Sequence, residues 1–243
     1  MKDEQIDDVL KKAGRASPDT APATLVRVAD SIKSSLQPVR PLPARWVMTA
    51  GMVLICAAVS LVGAARAGFF GFEKMNILER WLIFPVLVIL ACMAGNGFAH
   101  EMIPGSRRRV SPIALLGLGS AALLVVFAFF FRDYQTHQFI SVGIVCLLTG
   151  FIHAIPASLL AWLLLRRGFA VNSIAAGLVA GTLGGLAGVG VLELHCPNFE
   201  AAHVLVWHTA VVPLSAGAGA LVAWALRFRA GPGARERNPS PRQ

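Results

Sequence analysis

Apolar residues in this chain come in long unbroken runs rather than in alternating or amphipathic patterns. Six runs contain no Asp, Glu, Lys or Arg: Val47–Ala65, Trp81–Ala99, Val110–Phe131, Phe139–Leu165, Gly168–Leu192 and Val204–Leu226. A helix needs about 20 mostly apolar residues to cross a bilayer. The expected fold is therefore all-α, a polytopic membrane protein with six transmembrane helices. The fourth run is long enough to require tilt or an interfacial end. Pro85, Pro156 and Pro213 fall inside runs, which membrane helices tolerate by kinking.

The residues ahead of the first run follow a different pattern. Ile6, Val9 and Leu10 recur at helical spacing in a stretch with acids early and lysines late, as the helix dipole favours. Leu25, Val28, Ile32 and Leu36 lie on one face of a second amphipathic stretch. Gly14–Pro22 reads as a linker between them, and Pro38, Pro41 and Pro43 end the second helix. Two short helices with narrow apolar stripes cannot bury a core of their own. They suit an element that folds on a partner, and the competing reading is a disordered or membrane-lying tail. The expected organisation is a cytoplasmic tail over 1–45, a membrane bundle over 46–227 and a disordered basic tail over 228–243.

Composition agrees with this division. Hydrophobic residues make up 56% of the 243 and charged residues 14%, against about 45–50% and 25% in soluble domains. A net charge of +9 in a soluble domain would suggest nucleic acid. Here the basic residues flank apolar runs, so they indicate orientation instead, and no direct nucleic-acid partner is expected. Of the 22 Lys and Arg residues, only Arg66, Lys74, Arg80 and Arg132 fall in the first, third and fifth connections. The rest lie in the two tails and in the alternate connections, so both termini are expected in the cytoplasm.

Candidate chemistry is sparse. Apart from histidine, no acid or base lies in any run, which argues against an ion-coupled transporter. No nucleotide, phosphate-loop or hydrolase motif occurs in a fitting context, so neither an enzyme nor a cofactor is expected. Gly177, Gly181 and Gly185 repeat at i+4, as do Gly184 and Gly188. That spacing suits close helix packing within the chain better than a dimer contact, and the oligomeric state is left unassigned. The most reactive stretch joins the fifth and sixth runs. It holds Glu193, His195, Cys196, Glu200 and His203, with His208 just inside the sixth. Cys146 lies about two turns into the fourth run, so Cys146 and Cys196 are expected at the same outer face. Three readings of that pair stand open: inert packing, a reversible disulfide, and a soft-metal site completed by His195, His203 or His208. Cys56 and Cys92 lie deeper and read as small apolar residues. His153, in the middle of the fourth run, reads as a structural hydrogen-bonding group.

The order of these features carries a resemblance. Pro38-Val39-Arg40-Pro41-Leu42-Pro43 precedes the spans. A cysteine lies in the fourth, and Leu194-His195-Cys196-Pro197 precedes the sixth. Trp207-His208 and Gly217-Ala218-Gly219-Ala220 follow. Over nearly its whole length the chain resembles the NrsF family, negative regulators of sigma F, which are bacterial membrane anti-sigma factors. The resemblance implies sequestration of an extracytoplasmic-function sigma factor at the inner membrane until stress releases it. It also implies that Cys146 and Cys196 are the family's paired outer cysteines and sense redox or metal stress. The tail residues Ile6, Val9, Leu10, Leu25, Val28, Ile32 and Leu36 are the expected partner-binding set. The competing classes are a transporter or channel for a small solute or metal, and a redox membrane enzyme.

Overall fold

The computed structural model describes residues 43–103, 106, 110–136, 138–165 and 172–229, with residues 8, 11, 12, 26, 27 and 29–31 ahead of them. The chain divides into two units, Met1–Leu42 and Pro43–Gln243. In the first, the described residues are helical, and Lys12 pairs with Asp8 one turn earlier at 3.4 Å on the surface. The tail residues expected to bind a partner, Ile6, Val9, Leu10, Leu25, Val28, Ile32 and Leu36, lie outside the described residues. So do the basic connections at Arg107–Arg109 and Arg166–Arg167, and the C-terminal tail from Ala230.

Among the described residues of the second unit, six helices are long and apolar enough to cross a membrane. They are α1 (Arg45–Ala67), α2 (Ile77–Met102), α3 (Pro112–Phe130), α4 (Phe139–Leu165), α5 (Ser173–His195) and α6. The last is composite: it begins as Ala201–His203, passes through a π-helical turn at Val204–His208 and continues as Thr209–Arg229. A one-turn helix, Phe70–Lys74, bridges α1 and α2. Short polar side chains start three of the spans by satisfying the free amides that every helix begins with. Asn76 accepts from the Glu79 amide at 2.9 Å while Glu79 accepts from the Asn76 amide at 2.8 Å, a reciprocal cap on α2. Ser111 and Asn172 cap α3 and α5 by accepting from the Ala114 and Ala175 amides at 3.1 Å.

Several helix boundaries differ from those read off the charge-free runs. Helix α2 takes in Glu79 and Arg80 at its start and Glu101 at its end. Helix α5 continues past Leu192 through Glu193 and His195, and α6 already includes His203. The stretch expected to be a long reactive loop is therefore only Cys196–Glu200, and Glu193 is a buried acid inside a span. Charge ends a run in sequence, but a buried partner allows the helix to continue.

Helix α5 is the axis of the unit. In its most apolar stretch 83% of residues are buried, against 22% in α1, α3 and α4. Lipid tails are as apolar as leucine, so solvent exclusion does not hold helices together in a bilayer. Close backbone approach and interhelical hydrogen bonds do. Along one face of α5, a Cβ added at Gly177 or Gly181 would run into the α6 backbone at Gly219 or Ser215. At Gly185 it would lie 2.7 Å from the Val212 Cα, again in α6. On another face, Gly184 and Gly188 meet the α4 backbone at Ala154 and Gly150. Against α1, the Ser60 hydroxyl donates to the Ala187 carbonyl at 3.0 Å and the Cys56 thiol to the Leu183 carbonyl at 3.4 Å.

A direct test compares two glycines. Gly181→Ala forces a methyl into the α6 backbone and should cost about 1–3 kcal/mol. Gly117→Ala in α3 meets open space and should be neutral or slightly stabilising. Chemical unfolding in detergent should separate the two variants by at least 1 kcal/mol on that scale.

Candidate functional site

Six spans run alternately, so the start of α4, the end of α5 and the start of α6 share one end of the bundle. That end lies opposite the N-terminus of α1 and the C-terminus of α6. Cys146 is in the third turn of α4, half-buried. Cys196 is the residue that ends α5, and it is buried. Their Sγ atoms lie 3.4 Å apart, and both cysteines are free thiols. The Cys196 Sγ is also 3.6 Å from His203 Nε2. Cys196 lies just outside the span. Its hydrogen bond with Cys146, and then its burial, raise its thiol above the ordinary cysteine value.

The two histidines of α6 reach this point because of the π-turn. In a regular α-helix, residues five apart lie about 140° from each other around the axis. The widened turn at Val204–His208 closes i to i+5 instead, a distortion that recurs at functional sites. His203 and His208 consequently face each other with ring centroids 5.3 Å apart, both fully buried. His208 Nδ1 donates to Glu193 Oε1 at 2.7 Å, and neither side chain is exposed. That bond commits Nδ1 and leaves Nε2 for the cluster. One ligand atom each from Cys146, Cys196, His203 and His208 lies within 4.8 Å of all the others.

Neighbouring elements fix this cluster from three sides. Phe131 stacks on Phe199 at 5.3 Å, and the Ala201 amide donates to the Asp133 carbonyl at 2.5 Å. The Phe70–Lys74 turn closes from another side. Lys74 donates to the Pro197 carbonyl at 3.3 Å, and a Cβ at Gly71 would come within 2.7 Å of the Glu193 and Cys196 carbonyls. Trp207 lies over Gly143, one turn before Cys146, and packs against Phe139 at 5.4 Å. Any side chain at Gly143 would displace the indole.

Other candidate residues fall elsewhere. His195 does not join the cluster, although it adjoins Cys196 in sequence. Its Nδ1 donates to the Gly68 carbonyl at 3.1 Å and its ring faces Phe70. It is not among the four residues whose donor atoms converge. His153 Nδ1 donates to the Thr149 carbonyl at 2.8 Å, within its own helix. Cys56 is buried and Cys92 exposed, and neither is among the converging donors. Sequence reasoning placed Glu193 in the reactive stretch but did not foresee its buried bond to His208. The only signal for that bond was an acid fifteen residues before a histidine, and that spacing carries no helical meaning.

A family model described as negative regulator of sigma F (NrsF) matches residues 33–228. No curated protein and no solved structure matches the chain.

The thiol geometry leads to a chemical expectation. A mild two-electron oxidant added to the folded, reduced protein should join Cys146 to Cys196 within the chain and leave Cys56 and Cys92 unlinked. Peptide mass spectrometry reads the linkage. Gly143→Val, by pushing Trp207 aside, should slow the cross-link by about tenfold, the factor for 1.4 kcal/mol of lost positioning.

Proposed function

Because the chain belongs to the NrsF family of negative regulators of sigma F, we propose that it is a membrane anti-sigma factor that releases its partner when Cys146 and Cys196 change state. The partner is an extracytoplasmic-function sigma factor, held at the inner membrane by the N-terminal tail. Both termini are cytoplasmic on this reading, supported by the placement of Lys and Arg. The paired thiols are then at the outer face. The observation that carries the sensing half is the 3.4 Å approach of Cys146 and Cys196, on two different helices at the bundle end away from the termini.

The mechanism is a transmembrane switch. At rest the tail residues Leu25, Val28, Ile32 and Leu36, with Ile6, Val9 and Leu10, pack on the sigma factor and cover its polymerase-binding surface. Oxidation takes two electrons and two protons from the thiols and ties α4 to the end of α5. Metal stress acts on the same sulfur atoms. Either event must favour one arrangement of α4, α5 and α6 over another, because a ligand shifts only an equilibrium between states that it distinguishes. About 3 kcal/mol of such preference changes sigma-factor release on the order of a hundredfold.

Two experiments separate the halves. Deleting residues 1–40 should abolish repression of the sigma-dependent promoter with the bundle still inserted; full repression would refute the tail's role. Changing both Leu25 and Ile32 to Asp should weaken the complex by 30-fold or more, since buried apolar anchors are each worth about 2 kcal/mol. The Cys146→Ser, Cys196→Ser double variant should repress normally yet fail to respond to oxidants or thiophilic metals. An undiminished response would remove these residues as the sensor.

A further inference from the structure

We propose that Cys146, Cys196, His203 and His208 form a four-ligand centre for a thiophilic d10 cation, and that Glu193 is the residue that positions His208 for it. The inference deepens the sensing half of the proposed function by naming the ligand class and the full donor set.

The donor set matches the chemistry of such ions. Two thiolates and two imidazoles in tetrahedral array are a standard shell for Zn²⁺, and soft thiolate donors also favour its heavier or monovalent d10 relatives. With bonds of about 2.0–2.3 Å, ligand atoms in a tetrahedron lie roughly 3.3–3.8 Å apart. The Cys146–Cys196 separation of 3.4 Å and the Cys196–His203 separation of 3.6 Å fall in that range. The widest pair in the cluster is within 4.8 Å, so closing the shell takes about one ångström of side-chain movement.

A second observation is independent of these distances. His208 is fully buried, and one of its ring nitrogens faces the Cys196 thiol. Its other nitrogen donates to Glu193, which is equally buried. A carboxylate on the far nitrogen is the usual companion of a metal-bound imidazole; it fixes the tautomer and leaves the ligating nitrogen as a lone pair. Glu193 thus has a role that packing does not require of an acid. Cys146 is the least buried of the four donors and marks the side of entry. On binding, the cation replaces the two S–H protons, which leave to water, and no electron is transferred. Binding and disulfide formation compete for the same sulfur atoms.

The test uses the full-length chain purified in detergent with a non-thiol reductant and loaded with one equivalent of Zn²⁺. X-ray absorption at the zinc edge should show two sulfur atoms at about 2.3 Å and two imidazole nitrogens at about 2.0 Å. A shell without sulfur, or with sulfur and no imidazole, would overturn the proposal. Competition titration should show Glu193→Gln binding Zn²⁺ 10–100-fold more weakly with the same shell; unchanged affinity would overturn the role of Glu193. Wild-type protein loaded with Zn²⁺ should also resist the Cys146–Cys196 cross-link. None of these readouts involves the sigma factor. A failure here leaves the anti-sigma reading intact, and a failure of the tail experiments leaves the metal centre intact.

Discussion

Backbone-to-backbone contact along α5 is the constraint from which the rest of the bundle follows. A bilayer offers no solvent-exclusion force between helices, so the helices must touch closely to stay together. Gly177, Gly181 and Gly185 bring α6 against α5, Gly184 and Gly188 bring α4, and Ser60 ties α1 on by a hydrogen bond. A helix packed on so many faces cannot shift without moving its neighbours. It also sets the depth of the start of α4 and the start of α6 relative to its own end.

The reactive cluster is built on that fixed relation. Cys196 ends α5, Glu193 is one turn earlier, Cys146 comes from α4 and both histidines come from α6. The π-turn at Val204–His208 is the local distortion that lets two histidines five residues apart face one point. Burying Glu193 and His208 without exposure would be costly for either alone, and the 2.7 Å bond between them offsets that cost. A change in bonding at the two sulfur atoms therefore acts on the contacts of α4 and α6 with α5, the same contacts that hold the bundle. In the switch proposed above, that is the route by which a small event at one end would bias helices that reach the other side of a membrane.

The six spans were legible because charge is excluded from a bilayer core, and the sequence obeys this rule without exception over the runs. The same rule concealed Glu193. Reading the span as ending at Leu192 placed the acid in a loop, whereas its buried partner keeps it in the helix. His195 looked like a ligand because it adjoins Cys196, but consecutive helical residues point about 100° apart, and its ring turns to the Gly68 carbonyl. His203 and His208 could not be paired from regular helical spacing, since only the π-turn brings them together. The Cys146 and Cys196 pair had no signal in spacing either, and its proximity comes from the packing of α4 on α5.

In the proposed switch, the state of the Cys146–Cys196 pair governs the grip on the sigma factor. Its most direct measurement is the Kd of the sigma factor for the full-length chain in a lipid nanodisc, with that pair reduced and then cross-linked. Binding is expected to weaken on the order of a hundredfold after cross-linking, corresponding to about 3 kcal/mol of coupling. Equal affinity in the two states would contradict it.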